Sequence, residues 1–205
     1  MKHRKPRAGV ERHCVVARPV QDQGFGLGRR YNDPFPVDWL RVFAIDEIGI
    51  VQVPVPGTGS TMSMPVAIGF ESNQVPSGEI SPLMSPIRNA TVNGLSLLAS
   101  STVQGKTVKL SWSPPTGIPP FGYVVSLYRW RTSSSGVPYP EGPLEAFCTG
   151  ETSVAIPPDF LETGTSYFFR IQARADGKAN MASAPFRSAY PVAYADFVSA
   201  PVSIK

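Results

Sequence analysis

Apolar and polar positions alternate along this chain over short runs, and turn residues end each run before a helical repeat can build. In Val108-Lys109-Leu110-Ser111-Trp112 the three apolar side chains fall on one face of a strand. Gly122 to Tyr128 reads the same way, with Tyr123, Val125 and Leu127 inward. Leu144 to Cys148 and Thr152 to Ile156 predict two further short strands, the second stopped by Pro157-Pro158. The run Leu161-Glu162-Thr163-Gly164-Thr165-Ser166-Tyr167-Phe168-Phe169-Arg170-Ile171 reads as a polar turn followed by a strand with one buried face. The tyrosine at the start of that strand is placed so that its hydroxyl can bond back to the backbone of the corner before it. Ala193 to Ile204 supplies a last strand. Proline-rich and Ser/Gly/Pro-rich loops separate these elements, at Ser113 to Pro120 and at Thr132 to Gly142.

The N-terminal part is organised differently. Residues 1–24 are basic and then polar, without periodicity, and are expected to be a disordered tail. Residues 25–82 read as a partial β segment, a short meander with strands at Trp39 to Ile45, Ile48 to Val53 and Met62 to Phe70. Pro54 and Pro56 end the second strand, and Pro56-Gly57-Thr58-Gly59-Ser60 is a turn. Three strands without a facing sheet make a poor core of their own. This half therefore either packs on the C-terminal unit, residues 83–205, or is the remnant of a preceding domain. The glycines at 24, 26 and 28 do not form a phosphate loop, because such a loop opens a helix and Pro34 and Pro36 follow.

Composition agrees with an all-β chain. Of 205 residues 22 are proline and 18 glycine, and proline is excluded from helix interiors and central strands. The net charge of +4 does not describe a folded face. Lys2, Arg4, Lys5, Arg7 and Arg12 stand against Glu11 in the first 13 residues, and the remaining 14 basic and 14 acidic residues cancel. No nucleic-acid partner is expected from so local a charge. Cys14 and Cys148 are too few for a disulfide framework and read as free thiols, with Cys148 a small apolar strand residue. No apolar run is long enough to span a bilayer, and the basic N-terminus has no apolar stretch behind it that would make it a signal peptide.

Taken in order, these elements resemble a fibronectin type III domain over roughly residues 83–205. Trp112 matches the tryptophan of the second strand, Tyr123 to Val125 the third strand, and Leu161, Gly164 and Tyr167 the corner before the sixth. The resemblance implies an immunoglobulin-like β-sandwich. It departs from the family in the long stretch Asp176 to Pro191 and in a weak first strand near Asn89 to Val92, separated from the second by Asn93 to Gly105. Ala184 to Asp196 is similar to the C-terminus of large bacterial envelope proteins, often lipoproteins. Asn32 to Trp39 is similar to the region just before that domain in them. This second resemblance implies a cell-envelope or extracellular location and a non-catalytic structural or interaction role. It also implies that the chain is a C-terminal fragment or a shortened relative.

Candidate binding residues follow from the loops. Asp176 to Pro191 carries Phe186, Arg187 and Tyr190, with Arg174 and Asp176 at its start. Loops at the end of a sandwich are where such folds place recognition, and Arg with aromatics is the composition of binding hot spots. The same aromatics also suit a cover for the sandwich edge. Trp130, read as lying just past the third strand, is a second candidate contact. An alternative role, as a carbohydrate-binding accessory module, would draw on its flat face. Partners are thus a protein or a polysaccharide, unidentified. Catalysis has little to stand on. Both histidines, His3 and His13, lie in the basic tail, which leaves no base for a serine or cysteine and no metal signature. No cofactor motif is present.

Overall fold

The computed structural model describes residues 11–16, 41–73, 81–176 and 191–205. Its strands are β1 (Glu11–Val16), β2 (Arg41–Pro54), β3 (Thr61–Ser72), β4 (Arg88–Val92), β5 (Leu95–Ser96), β6 (Ser101–Val103) and β7 (Val108–Ser113). They continue as β8 (Gly122–Thr132), β9 (Pro138–Thr149), β10 (Ser153–Ile156), β11 (Ser166–Asp176), β12 (Val192–Val198) and β13 (Val202–Ile204). Among the described residues these form two sheets. The smaller runs β10-β7-β4-β5. The larger runs β9-β8-β11, and beside β11 stand β12 along one half and β13 along the other.

The alternating patterns place their apolar faces between the two sheets. Val108, Leu110 and Trp112 of β7 meet Tyr123, Val125 and Leu127 of β8 and Tyr167, Phe169 and Ile171 of β11 in one core. The Trp112 and Tyr123 rings pack edge to face at 5.1 Å. The tyrosine corner forms as the sequence implies. The Tyr167 hydroxyl accepts the Glu162 N–H at 2.8 Å while Leu161 is buried beneath it. Burial raises the Tyr167 phenol pKa, so the ring stays neutral.

Several boundaries differ from the sequence reading. The segment 25–82 contributes two long strands in its described part, not three. β2 runs straight through Asp46-Glu47 because the Asp46 carboxylate is satisfied there. It accepts a hydrogen bond from the Tyr194 hydroxyl, reaching across Gly69 of β3. A side chain at Gly69 would sit 2.6 Å from the Ile45 carbonyl, so only glycine leaves room for that crossing. Within the expected N-terminal tail, Glu11–Val16 is a strand paired parallel to the start of β2. The Thr132 to Gly142 loop is mostly strand, with its turn confined to the residues between Thr132 and Pro138. Asn93 to Gly105 contains β5 and β6, and β6 crosses to the larger sheet to pair parallel with β13.

The β2–β3 hairpin does not stand apart. β3 pairs antiparallel with β12 from Ile68 to Glu71, so the hairpin prolongs the sandwich sheet. Phe70, Ile68 and Ile45 carry the main core outward along this extension. Pairing with β12 stops at Ala195↔Ile68, and there the Ala67 N–H donates to the buried Asp196 carboxylate at 2.9 Å. The same carboxylate takes the Arg170 guanidinium and the Gln172 amide, the latter at 3.0 Å. Beyond this anchor the ribbon winds over the sandwich. Two-stranded ribbons twist strongly, and this one carries the same face from the inner core to the outer side of the sheet. Val51, Val53, Val55, Met62 and Met64 there cover Tyr128, Trp130, Phe168 and Val198. Phe168 is 0% exposed although its neighbours Tyr167 and Phe169 point the other way, into the main core.

Two substitutions test this third layer. Phe168→Ala should cost about 3–5 kcal/mol in urea unfolding, as a fully buried aromatic does when a cavity replaces it. A loss below about 0.5 kcal/mol, normal for a surface site, would mean that nothing covers this face. Asp196→Ala should also cost about 3–5 kcal/mol, because it leaves Arg170 half-buried without its partner. A wild-type unfolding midpoint would remove the anchor.

Candidate functional site

The hairpin turn brings the two halves of the chain together at the corner end of the sandwich. The Val55 N–H donates to the Ser60 carbonyl at 2.9 Å, and the Thr58 hydroxyl donates to the Val55 carbonyl at 3.1 Å. Gly57 and Gly59 hold φ of 73° and 69°, which the Pro56 to Ser60 turn requires. Buried Val55 fixes the tip against Trp130 and Phe168, and Pro56 is left standing between two clefts.

The first cleft, about 320 Å³, is lined by Pro56, Arg129, Trp130, Arg131, Glu162 and Ser166 among others. Its charges are paired across strands. Arg129 binds Glu141 of β9 at 2.7 Å and Glu162 of the tyrosine corner at 2.7 Å, and Arg131 reaches Glu141 at 2.9 Å. The bonds from Arg131 and Arg129 hold the Glu141 carboxyl below its ordinary pKa. The bond to Glu141 likewise raises Arg129 above its own, against the opposing effect of its burial. The second cleft, about 560 Å³, is lined by hydroxyls and prolines: Ser60, Thr61, Ser101, Thr102, Ser203 and Pro201. The first cleft offers charged groups already paired with carboxylates, and the second offers hydroxyls. That chemistry suits a neutral polar ligand or a polypeptide backbone. Among the described residues no three of His, Cys, Asp and Glu lie together as metal ligands would.

Trp130 is not where the sequence suggested. It lies inside β8, opposite Pro140 of β9, and is only 8% exposed. Its ring packs on Phe168 at 5.6 Å, under the hairpin. The flat face is therefore spent on packing, which the strand pattern could not reveal without the covering layer. Arg187 and Tyr190 lie outside the described residues. Arg174 and Asp176, assigned to the same loop from sequence, belong to β11. Cys148 is a free thiol within a strand, as the sequence suggested, and it lies on the exposed side of β9. The Arg129–Glu141–Glu162 cluster escaped sequence reading because its members are joined by strand pairing and the corner, not by spacing.

With this geometry in place, residues 89–188 match the family model of the fibronectin type III domain. The match takes in the first strand of the smaller sheet through the full length of β11. Comparison with curated proteins and with solved structures gave no match.

The ion cluster makes a pH-dependent prediction. Glu141 has a depressed pKa in the folded state, so its stabilising pairing is complete above the ordinary carboxylate pKa. That stability is lost as pH falls through the lowered folded value. Arg129→Met should therefore unfold at lower urea than wild type near pH 7, and by a smaller margin in acid below the ordinary carboxylate pKa. Equal gaps at both pH values would show that Arg129 acts by packing alone.

Proposed function

We propose that the chain is a non-catalytic structural module of a bacterial envelope or extracellular protein, with its fibronectin type III domain acting as a stiff spacer. Domains of this family generally serve as interaction or spacer modules. The observation that carries the reading is the hairpin layer. A flexible linker would let the domain swing relative to whatever precedes it. Here β3 is hydrogen-bonded into the sandwich sheet, and the ribbon buries Phe168 and Trp130 beneath it. Force or position at the hairpin is thus transmitted to the whole sandwich.

The envelope or extracellular setting is supported by the resemblance of Ala184 to Asp196 and of Asn32 to Trp39 to bacterial envelope proteins. Recognition of a protein or polysaccharide would fall to the loop bearing Arg187 and Tyr190. The carbohydrate-module alternative loses its main support in the burial of Trp130, since a stacking platform needs an open ring face.

Nuclear-spin relaxation on the full chain tests the spacer. Residues 41–73 and 81–176 should share one rotational correlation time; two separate values would reject it. Fractionation of the source cells tests the location, and recovery of the chain with the cytosol would reject the envelope assignment.

A further inference from the structure

The chain holds one Asn-Gly pair, Asn93-Gly94, and it forms the two-residue turn between β4 and β5. Both residues take positive φ, 48° and 83°, as a tight hairpin turn with left-handed central residues requires. The same dipeptide is the one most open to spontaneous deamidation, since asparagine is thermolabile and glycine has no side chain to hinder attack. In that reaction the Gly94 nitrogen attacks the Asn93 side-chain carbonyl carbon. The new C–N bond closes a cyclic imide and the Nδ2 group leaves as ammonia. Water then opens the ring to aspartate or isoaspartate.

Asn93 and Gly94 are both exposed, so burial does not protect them. Hydrogen bonds to β7 do. The Asn93 N–H donates to the Lys109 carbonyl at 2.9 Å, which carries the β4–β7 ladder one residue past Val92↔Leu110. The returning bond, from the Lys109 N–H, goes to the Asn93 side-chain Oδ1 at 2.8 Å. The side-chain Nδ2 donates to the Thr107 carbonyl at 2.7 Å. The amide thus completes the ladder where the backbone turns, and both of its polar atoms are tied to the neighbouring strand. Any swing of its carbonyl carbon onto the Gly94 nitrogen must first break both bonds.

We infer that Asn93 is a deamidation site closed by folding. It reacts in the unfolded chain, or where the β4–β5 turn has lifted off β7, and not in the native sandwich. The product cannot resume the same place. Aspartate sets a carboxylate oxygen where Nδ2 donated, so two acceptors face each other at the Thr107 carbonyl. Isoaspartate adds a backbone atom to a turn that has room for two residues. Each molecule that reacts is thereby marked, and its smaller sheet opens more readily afterwards. The inference is independent of the spacer reading.

The test incubates the full chain in mildly alkaline buffer, once native and once unfolded in urea. Mass spectrometry of the peptide bearing Asn93, with an isoaspartate assay, follows the loss of the amide. That loss should be at least about tenfold slower in the native chain, because an unfavourable opening step precedes the reaction. Equal rates would overturn the inference. A second measurement needs no reaction. By nuclear magnetic resonance, the Asn93 side-chain amide protons should exchange with solvent more slowly in the native chain than in the unfolded one. Equal exchange would show that the amide is not held. Asn93→Asp, which installs the product directly, should unfold at lower urea than wild type, and an unchanged midpoint would also sink the inference.

Discussion

Everything else in this structure follows from one short stretch of β11 that is apolar on both faces. In Tyr167-Phe168-Phe169, the outer two side chains enter the sandwich core and the middle one enters a second cluster on the opposite side. A sheet with one wet face tolerates polar residues there. A strand buried on both sides needs a cover on each. The smaller sheet covers one side and the β2–β3 hairpin covers the other. Once Phe168 is fixed in the sequence, the hairpin is part of the fold and not an accessory to it.

The way the hairpin is held reflects the cost of burying polar groups. Asp196 is taken out of water where β3 leaves β12, and it is tolerated because three donors converge on it: Arg170, Gln172 and the Ala67 N–H. Nearby, the Tyr194 phenol has its pKa pushed well above the ordinary value by burial and by Asp46, so it remains a donor. Together these groups fasten the ribbon at the point where its backbone pairing ends. Beyond it, the ribbon packs through Val51, Val53, Val55, Met62 and Met64 onto the outer face of the sheet.

Much of the sandwich was legible beforehand. Alternation in β7 and β8 gave the inward faces, and the polar turn with Tyr167 gave the corner, because each is encoded within a dozen residues. What could not be read was anything depending on a distant partner. Asp46-Glu47 looked like a break in a strand until Tyr194, 148 residues away, supplied the hydrogen bond. Trp130 looked available for contact because the layer above it comes from residues 51–64. The Phe168 position carried the one local hint, an uninterrupted aromatic run where alternation would put a polar residue. The clefts at the hairpin tip shared this difficulty, since their walls come from β8, the corner and the turn at once.

The limits of the matched domain and the limits of the physical unit do not coincide. The match ends at residue 188, before β12 and β13, and it begins after the hairpin. A piece cut at those limits would keep the Trp112 and Tyr167 rings but lose β12 and β13, the strands on one side of β11. It would also uncover an aromatic strip formed by Tyr128, Trp130 and Phe168. Such a strip, bordered by an unpaired strand, is the kind of surface that drives aggregation. In this chain the smallest self-sufficient object is therefore larger than the domain that sequence kinship outlines.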